Sequence, residues 1–317
     1  MPRISDQILR SIVYLYPSEA EAWAGERAGG SGFVAWIEGE DEAGHYYVVT
    51  ASHVVREGGS PVARFNTPDD RTHVLPFPAD AWFHHPDGDD VAIAVLPAEE
   101  FYRLGLTGVP PMLFVDPELM ERENLGPGDE CFFVGRFMAH DGGVERNFPS
   151  VRFGNLATPL TRIPHDRGFD QESFLVESRS LSGYSGSPVF IYSAAVVSLN
   201  ATEMQTIATS QIFLLGLDWS HLNDYEPVLG GDKKTPVEPK EFVKRNAGMM
   251  GVVPAWKICE LLCDEEMMEL RRETEKPVRP SVASLDVEHA EESEYDRFQA
   301  LATKLVNTPK PESDEEA

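Results

Sequence analysis

Long apolar runs are missing from this chain. No stretch of 18 or more apolar residues occurs, so no membrane-spanning helix, and no membrane partner, is expected. Cysteine is scarce: only Cys131, Cys259 and Cys263 are present. An odd, sparse set argues against a disulfide framework and fits a reducing compartment. Cys259 and Cys263 are four apart on an expected helix and have no His or third Cys at ligand spacing. They read as two buried small apolar side chains rather than a metal pair. Basic residues are few, 27 Lys and Arg against 53 Asp and Glu, for a net charge of −26. Phosphate binding needs basic patches, so nucleic acid is not an expected partner. Residues 1–10 are polar and mixed in charge, without an apolar signal core or small-residue cleavage site. No secretory signal is read there, and the expected compartment is the cytoplasm. Internal repeats of 20–50 residues are also absent.

What is present is β-like. Runs rich in Val, Ile, Phe and Tyr occur at 11–16, 32–37, 45–50, 90–96, 130–135 and 173–177, separated by Gly, Pro and Asp clusters. Such punctuation marks an all-β sandwich or barrel. Helical periodicity is scarce until Pro254, after which Trp256, Ile258, Leu261 and Leu262 recur at helix spacing, predicting an amphipathic helix packed on the β core. The polar stretch between Leu222 and Gly248 reads as a surface insertion. Beyond about Asp264 the composition turns acidic, with Pro277 and Pro280 breaking any helix. A short helix is expected over 293–306, with Phe298, Leu301 and Leu305 as one stripe, followed by a solvated acidic tail.

Three strings carry chemistry. In Gly183-Tyr184-Ser185-Gly186-Ser187-Pro188, a serine between glycines ahead of a strand suits a nucleophile exposed on a tight turn, where backbone N–H groups can face an oxyanion. A Gly/Ser-rich hairpin loop is the plainer reading of the same string. In Val48-Val49-Thr50-Ala51-Ser52-His53, a β run ends in small residues and then an imidazole, which titrates near neutrality and suits a general base. In His84-His85-Pro86-Asp87-Gly88-Asp89-Asp90-Val91-Ala92-Ile93, an acid stands directly before an apolar strand. Two His and three Asp invite a metal, but a calcium loop begun at Asp87 would end at Ala98, which offers no bidentate carboxylate. Asp89 rivals Asp90. Strand alternation decides which acid faces inward, and a shift of one residue would exchange them.

Taken together, these strings resemble the trypsin/chymotrypsin-like serine peptidases, and more closely the stand-alone bacterial trypsin-like peptidase domains. Thr50-Ala51-Ser52-His53-Val54 resembles the family's T-A-A-H, Asp90-Val91-Ala92-Ile93 its D-I-A-L, and residues 183–188 its G-D-S-G-G-P. The order His, Asp, Ser is that family's. Gly30-Ser31-Gly32-Phe33, Phe213-Leu214-Leu215-Gly216 and Gly251-Val252-Val253-Pro254 are weaker matches that extend the likeness to about residues 8–263.

The resemblance implies an all-β fold of two six-stranded antiparallel barrels, about 8–115 and about 125–263, with a C-terminal helix and an acidic, partly disordered extension over 264–317. It implies a serine endopeptidase acting on polypeptides through an acyl-enzyme, with no cofactor or metal. Ser185 would be nucleophile, His53 general base and Asp90 its orienting acid, with the N–H groups of Gly183 and Ser185 as oxyanion hole. Arg179 would lie at the floor of the specificity pocket, with Leu217 and Asp218 lining it. Tyr184 departs from the family's acid before the nucleophile, which in zymogen-activated members pairs with a newly cut N-terminus. That departure implies a peptidase folded as synthesised. Two other readings stand beside the enzyme: an inactive protease-fold binding module, and a scaffold whose C-terminal stripe docks a protein partner or folds back on the barrel.

Overall fold

The computed structural model describes residues 3–39, 44–138, 142–165, 168–178, 183–194, 210–228 and 242–275. The expected helix at 293–306, the acidic tail and residues 229–241 of the polar stretch lie outside these residues.

Seven strands form one antiparallel sheet: β1 (Ile12–Tyr16), β2 (Gly30–Glu38), β3 (Gly44–Thr50), β4 (Val62–Asn66), β5 (Thr72–Pro76), β6 (Trp82–His84) and β7 (Ala92–Leu96). Their order is β5-β4-β1-β2-β3-β7-β6. Six more close a barrel: β8 (Glu130–Gly135), β9 (Ser150–Pro164), β10 (Asp170–Glu177), β11 (Pro188–Ala194), β12 (Ser210–Pro227) and β13 (Phe242–Pro254). The barrel runs β10-β13-β12-β11-β8-β9. The all-β, two-sheet architecture is as expected. The first sheet differs in having seven strands, with β5 and β6 at its edges rather than joined to one another.

Helices are short: α1 (Asp6–Arg10), α2 (Glu19–Ala24), α3 (Ser52–Val55), α4 (Ala98–Arg103), α5 (Pro117–Arg122), α6 (Ala255–Leu262) and α7 (Glu265–Glu275). Apart from α7, none exceeds eight residues, too few turns for apolar periodicity to show before Pro254. The predicted helix after Pro254 is α6, with Ile258, Leu261 and Leu262 buried. The acidic stretch after Asp264 continues helical through α7, whose Arg271 Nη1 donates to Tyr47 Oη on β3 at 3.0 Å. The C-terminal helices therefore return to the first sheet. The described ends of the supposed insertion between Leu222 and Gly248 form a two-stranded ribbon, since β12 and β13 stay paired out to Pro227↔Phe242.

One core runs through both sheets. Phe33, Val49 and Ile93 of the first belong to the same buried cluster as Phe132, Phe190, Leu214 and Val253 of the second, and a smaller cluster fills the barrel. A polar seam joins the halves as well. Arg64 on β4 is fully buried. Its Nη1 donates to Tyr16 Oη (3.2 Å) and to the Gly143 carbonyl (2.7 Å), and its Nη2 to the Val144 carbonyl (3.0 Å). Asn147 Nδ2 returns a bond to the Arg64 carbonyl (2.7 Å), and the Asn66 side chain both donates to the Asn147 carbonyl and accepts from its N–H. Carbonyl dipoles thus receive a guanidinium that water does not reach. The cysteines need correction. Cys131 is buried, but Cys259 is only half-buried, packed against the edge of the core, and Cys263, just past the end of α6, is exposed. Burial pushes the Cys131 thiol up to about 12, which keeps it protonated and inert.

Candidate active site

The register of the first sheet brings two of the strings together. β3 pairs with β7 at Thr50↔Ala92 and Val49↔Ile93. The chain leaving β3 toward His53 therefore lies beside the chain entering β7 from Asp90. His53 falls in the first turn of α3, where backbone N–H groups have no partner within the helix. Its N–H donates to Asp90 Oδ1 at 2.8 Å, and its Nδ1 lies 2.6 Å from Asp90 Oδ2. Asp90 is fully buried, while His53 keeps 31 % of its side chain exposed, so one ring edge stays reachable. Burial opposes charge on Asp90. The hydrogen bonds from His165 and His53 outweigh it and hold the carboxyl well below its usual range. An ionised carboxylate only accepts, so Nδ1 carries the hydrogen and Nε2 keeps its lone pair. Burial likewise opposes charge on His53, but the Asp90 bond and charge, with those of Asp218 and Glu57, raise its pKa above the ordinary value.

Asp89 goes elsewhere. Its Oδ1 accepts from Gln171 Nε2 at 2.6 Å, and its Oδ2 lies 3.2 Å from Lys257 Nζ and 3.3 Å from His85 Nδ1. The two neighbouring acids face opposite partners, and it is Asp90 that meets His53. Gln171 bridges them, since its Oε1 accepts from the Asp90 N–H at 2.8 Å. Among the described residues, His85, Asp89 and Glu260 place ligand-type atoms within 4.8 Å of one another. The cation among them is the Lys257 ammonium, 2.9 Å from Glu260 Oε2. The cluster is an ion-pair network tying α6 to the Asp89–Asp90 segment. Burial lowers the Lys257 pKa, but the bond to Glu260 and the charge of Asp89 raise it overall.

The Ser185 turn comes from the barrel and docks on the first sheet. The Ser31 N–H donates to the Ser185 carbonyl at 2.8 Å, and Ser31 Oγ donates to the Gly183 carbonyl at 2.8 Å. Gly183 and Gly186 take φ of +102° and +87°, values open to glycine at no steric cost. A Cβ on Gly186 would overlap the Ser31 carbonyl and Thr50 Oγ1 and press on the Ala51 nitrogen. This close approach seats the turn against Thr50 and Ala51, two residues ahead of His53. Tyr184 is fully buried. Its hydroxyl meets Ser150 Oγ and accepts from Arg152 Nε at 3.0 Å, so the residue before Ser185 is anchored on β9.

β12 completes the surroundings. The Asp218 carbonyl accepts from the Gly186 N–H (2.7 Å), and the Asp218 N–H donates to the Ser187 carbonyl (2.9 Å). The β12–β13 register shifts between Asp218 and Ser220, a bulge at Trp219 of the kind that re-aims side chains next to active sites. Leu217 is fully buried in the shared core. It packs among the core side chains rather than lining an open pocket. Asp218 is also buried, at 1 % exposure, beside the Ser185 turn. Arg179 lies outside the described residues. The sequence reading passed over His165, Gln171 and Trp219. No local string marks them, and His165 and Gln171 reach Asp90 from 75 and 81 residues away along the chain.

A family model described as trypsin-like peptidase domain matches residues 30–199. No curated protein matches the chain. Among solved structures, the chain is similar to the MamO protease domain of Magnetospirillum magneticum in its apo form. The identity is 16 % and the TM-score 0.46, covering 81 % of this chain and 98 % of that one. It is also similar to the HtrA-type protease AlgW with a decapeptide (14 %, TM-score 0.42, covering 76 % and 52 %). A third is human heparin binding protein (11 %, TM-score 0.45, covering 89 % and 98 %). With the family match spanning more than half of its length, the chain belongs to the trypsin-like peptidase domain family.

Proposed function

We propose that the protein is a serine endopeptidase working through Ser185, His53 and Asp90. The observation that carries this reading is the His53–Asp90 pair, 2.6 Å between Nδ1 and Oδ2 on a carboxylate closed to solvent, beside the turn that holds Ser185. Ser185 Oγ attacks the peptide carbonyl as its proton passes to His53 Nε2. The oxyanion accepts from the Gly183 and Ser185 N–H groups. The C–N bond then breaks, His53 returns the proton to the leaving amine, and Ser185 is left acylated. Water repeats the sequence, giving its proton to Nε2 and releasing the acid. Asp90 holds the imidazole in the tautomer this needs and stabilises the imidazolium that forms.

Labelling with a fluorophosphonate probe tests this. The native protein is expected to become phosphonylated at Ser185, and Ser185→Ala to remain unlabelled. A folded native protein that does not label between pH 7 and 9 overturns the enzyme reading in favour of a protease-fold binding module.

A further inference from the structure

Asp90 faces two imidazoles. His165 Nε2 stands 3.5 Å from the same Oδ2 that takes His53 Nδ1. The placement is built rather than incidental. The His165 side chain is 7 % exposed and lies between two rings, Phe169 at 4.7 Å and 10° and Trp219 at 4.9 Å and 14°. Its backbone closes the turn from both sides, His165 N–H to the Phe169 carbonyl (2.7 Å) and Gly168 N–H to the His165 carbonyl (2.9 Å). Trp219 is itself fixed through Nε1 to Ser173 Oγ at 2.9 Å. Backbone and stacking together leave the ring little freedom except to present Nε2 to Asp90.

We propose that His165 is a positioning residue for the His53–Asp90 pair, giving Asp90 Oδ2 a second N–H so that the carboxylate is shared between two imidazoles. Its significance for catalysis rests on the peptidase reading above; the contact itself does not. A carboxylate that already accepts from His165 holds the His53 imidazolium less tightly. His165 therefore restrains the basicity of His53, which the carboxylates of Asp90, Asp218 and Glu57 together raise. The other groups on this carboxyl segment are the Gln171 amide, at the Asp90 N–H, and Asp89 and Lys257 beyond it. Phe169 and Trp219, against His165, are uncharged.

The test is a titration of the His53 ring by nitrogen-15 NMR in the full chain, for wild type, His165→Phe and His165→Gln. Phenylalanine keeps the stack and removes the donor; glutamine restores an N–H. The expected result is a His53 midpoint about half a pH unit higher in His165→Phe, roughly a threefold gain in proton affinity, and a return toward wild type in His165→Gln. A His165→Phe midpoint equal to or below wild type overturns the proposal, as does a His165→Gln midpoint equal to that of His165→Phe. If neither variant folds, the wild-type spectrum still decides: neutral His165 must carry its hydrogen on Nε2, and an Nδ1–H tautomer overturns the proposal. Phosphonylation is followed in the same samples. A wild type that does not label defeats the peptidase reading while the titration still judges His165.

Discussion

At the end of the seven-stranded sheet, the ring Nδ1 and the backbone N–H of His53 are held on the Asp90 carboxylate, at 2.6 and 2.8 Å. In the six-stranded barrel, the Ser185 turn is held by backbone bonds from Ser31 and Asp218 and by glycines in left-handed conformations. The two arrangements should fail differently. A charge-assisted pair can lose its chemistry while the fold survives, because an isosteric amide still fills the space. A backbone turn seated by close approach cannot be altered without moving the sheet beneath it.

Gly186→Ala is the largest expected effect. The new Cβ would meet the Ser31 carbonyl and Thr50 Oγ1 at φ +87°, so the turn or β2 must shift. Backbone strain alone costs about 1–3 kcal/mol, which for a domain this size lowers Tm by about 2–12 °C. Phosphonylation of Ser185 is expected to vanish. Unchanged Tm and labelling would show that the turn is not seated as described, and the contrast between the halves would collapse.

Asp90→Asn comes next. An amide here must donate as well as accept, which favours the wrong His53 tautomer, and neutralising this acid in a Ser-His-Asp triad typically costs about 10⁴-fold in rate. Thermal unfolding at neutral pH should reveal a fold that survives. In wild type, the depressed Asp90 pKa contributes stability present above the ordinary carboxylate range and lost as pH falls through the folded value. That acid-side loss should be smaller in the variant. A variant that labels at the wild-type rate would remove Asp90 from the mechanism.

The same contrast explains what the sequence disclosed. Residues 50–53, 90–93 and 183–188 are contiguous strings whose chemistry is local, and the expected β8 matches Glu130–Gly135 residue for residue. The sequence favours Asp90 over Asp89 only as the residue that starts the Val91–Ile93 strand; which acid meets His53 depends on the Thr50↔Ala92 register, which no string encodes. β9 went unseen since Gly154 and Pro159 punctuate it like a loop. Pairing to β8 and β10 sustains it, and the register shift between Ser173 and Leu175 accommodates the proline. His165, Gln171 and Arg64 meet their partners only through tertiary contact. Each reads in the sequence as an ordinary polar residue in or beside a strand.

The smallest effect tests whether the barrel acts on His53 through charge. Asp218, buried next to the Ser185 turn, contributes to raising the His53 pKa along with Asp90 and Glu57. His53 must be neutral to act as base. The acid limb of the phosphonylation rate should therefore sit above about 6.5, the ordinary imidazole value. The protonated ring also contributes stability that is present below the unfolded-state pKa and lost as pH rises through the folded one. Asp218→Asn removes the charge at nearly constant volume and should move the acid limb down, by less than about one pH unit. That shift is opposite in sign to the one expected for His165→Phe. An acid limb that stays put or rises in Asp218→Asn would mean that Asp218 serves the turn through its backbone alone, and that the barrel sets the position of Ser185 without adjusting the base that serves it.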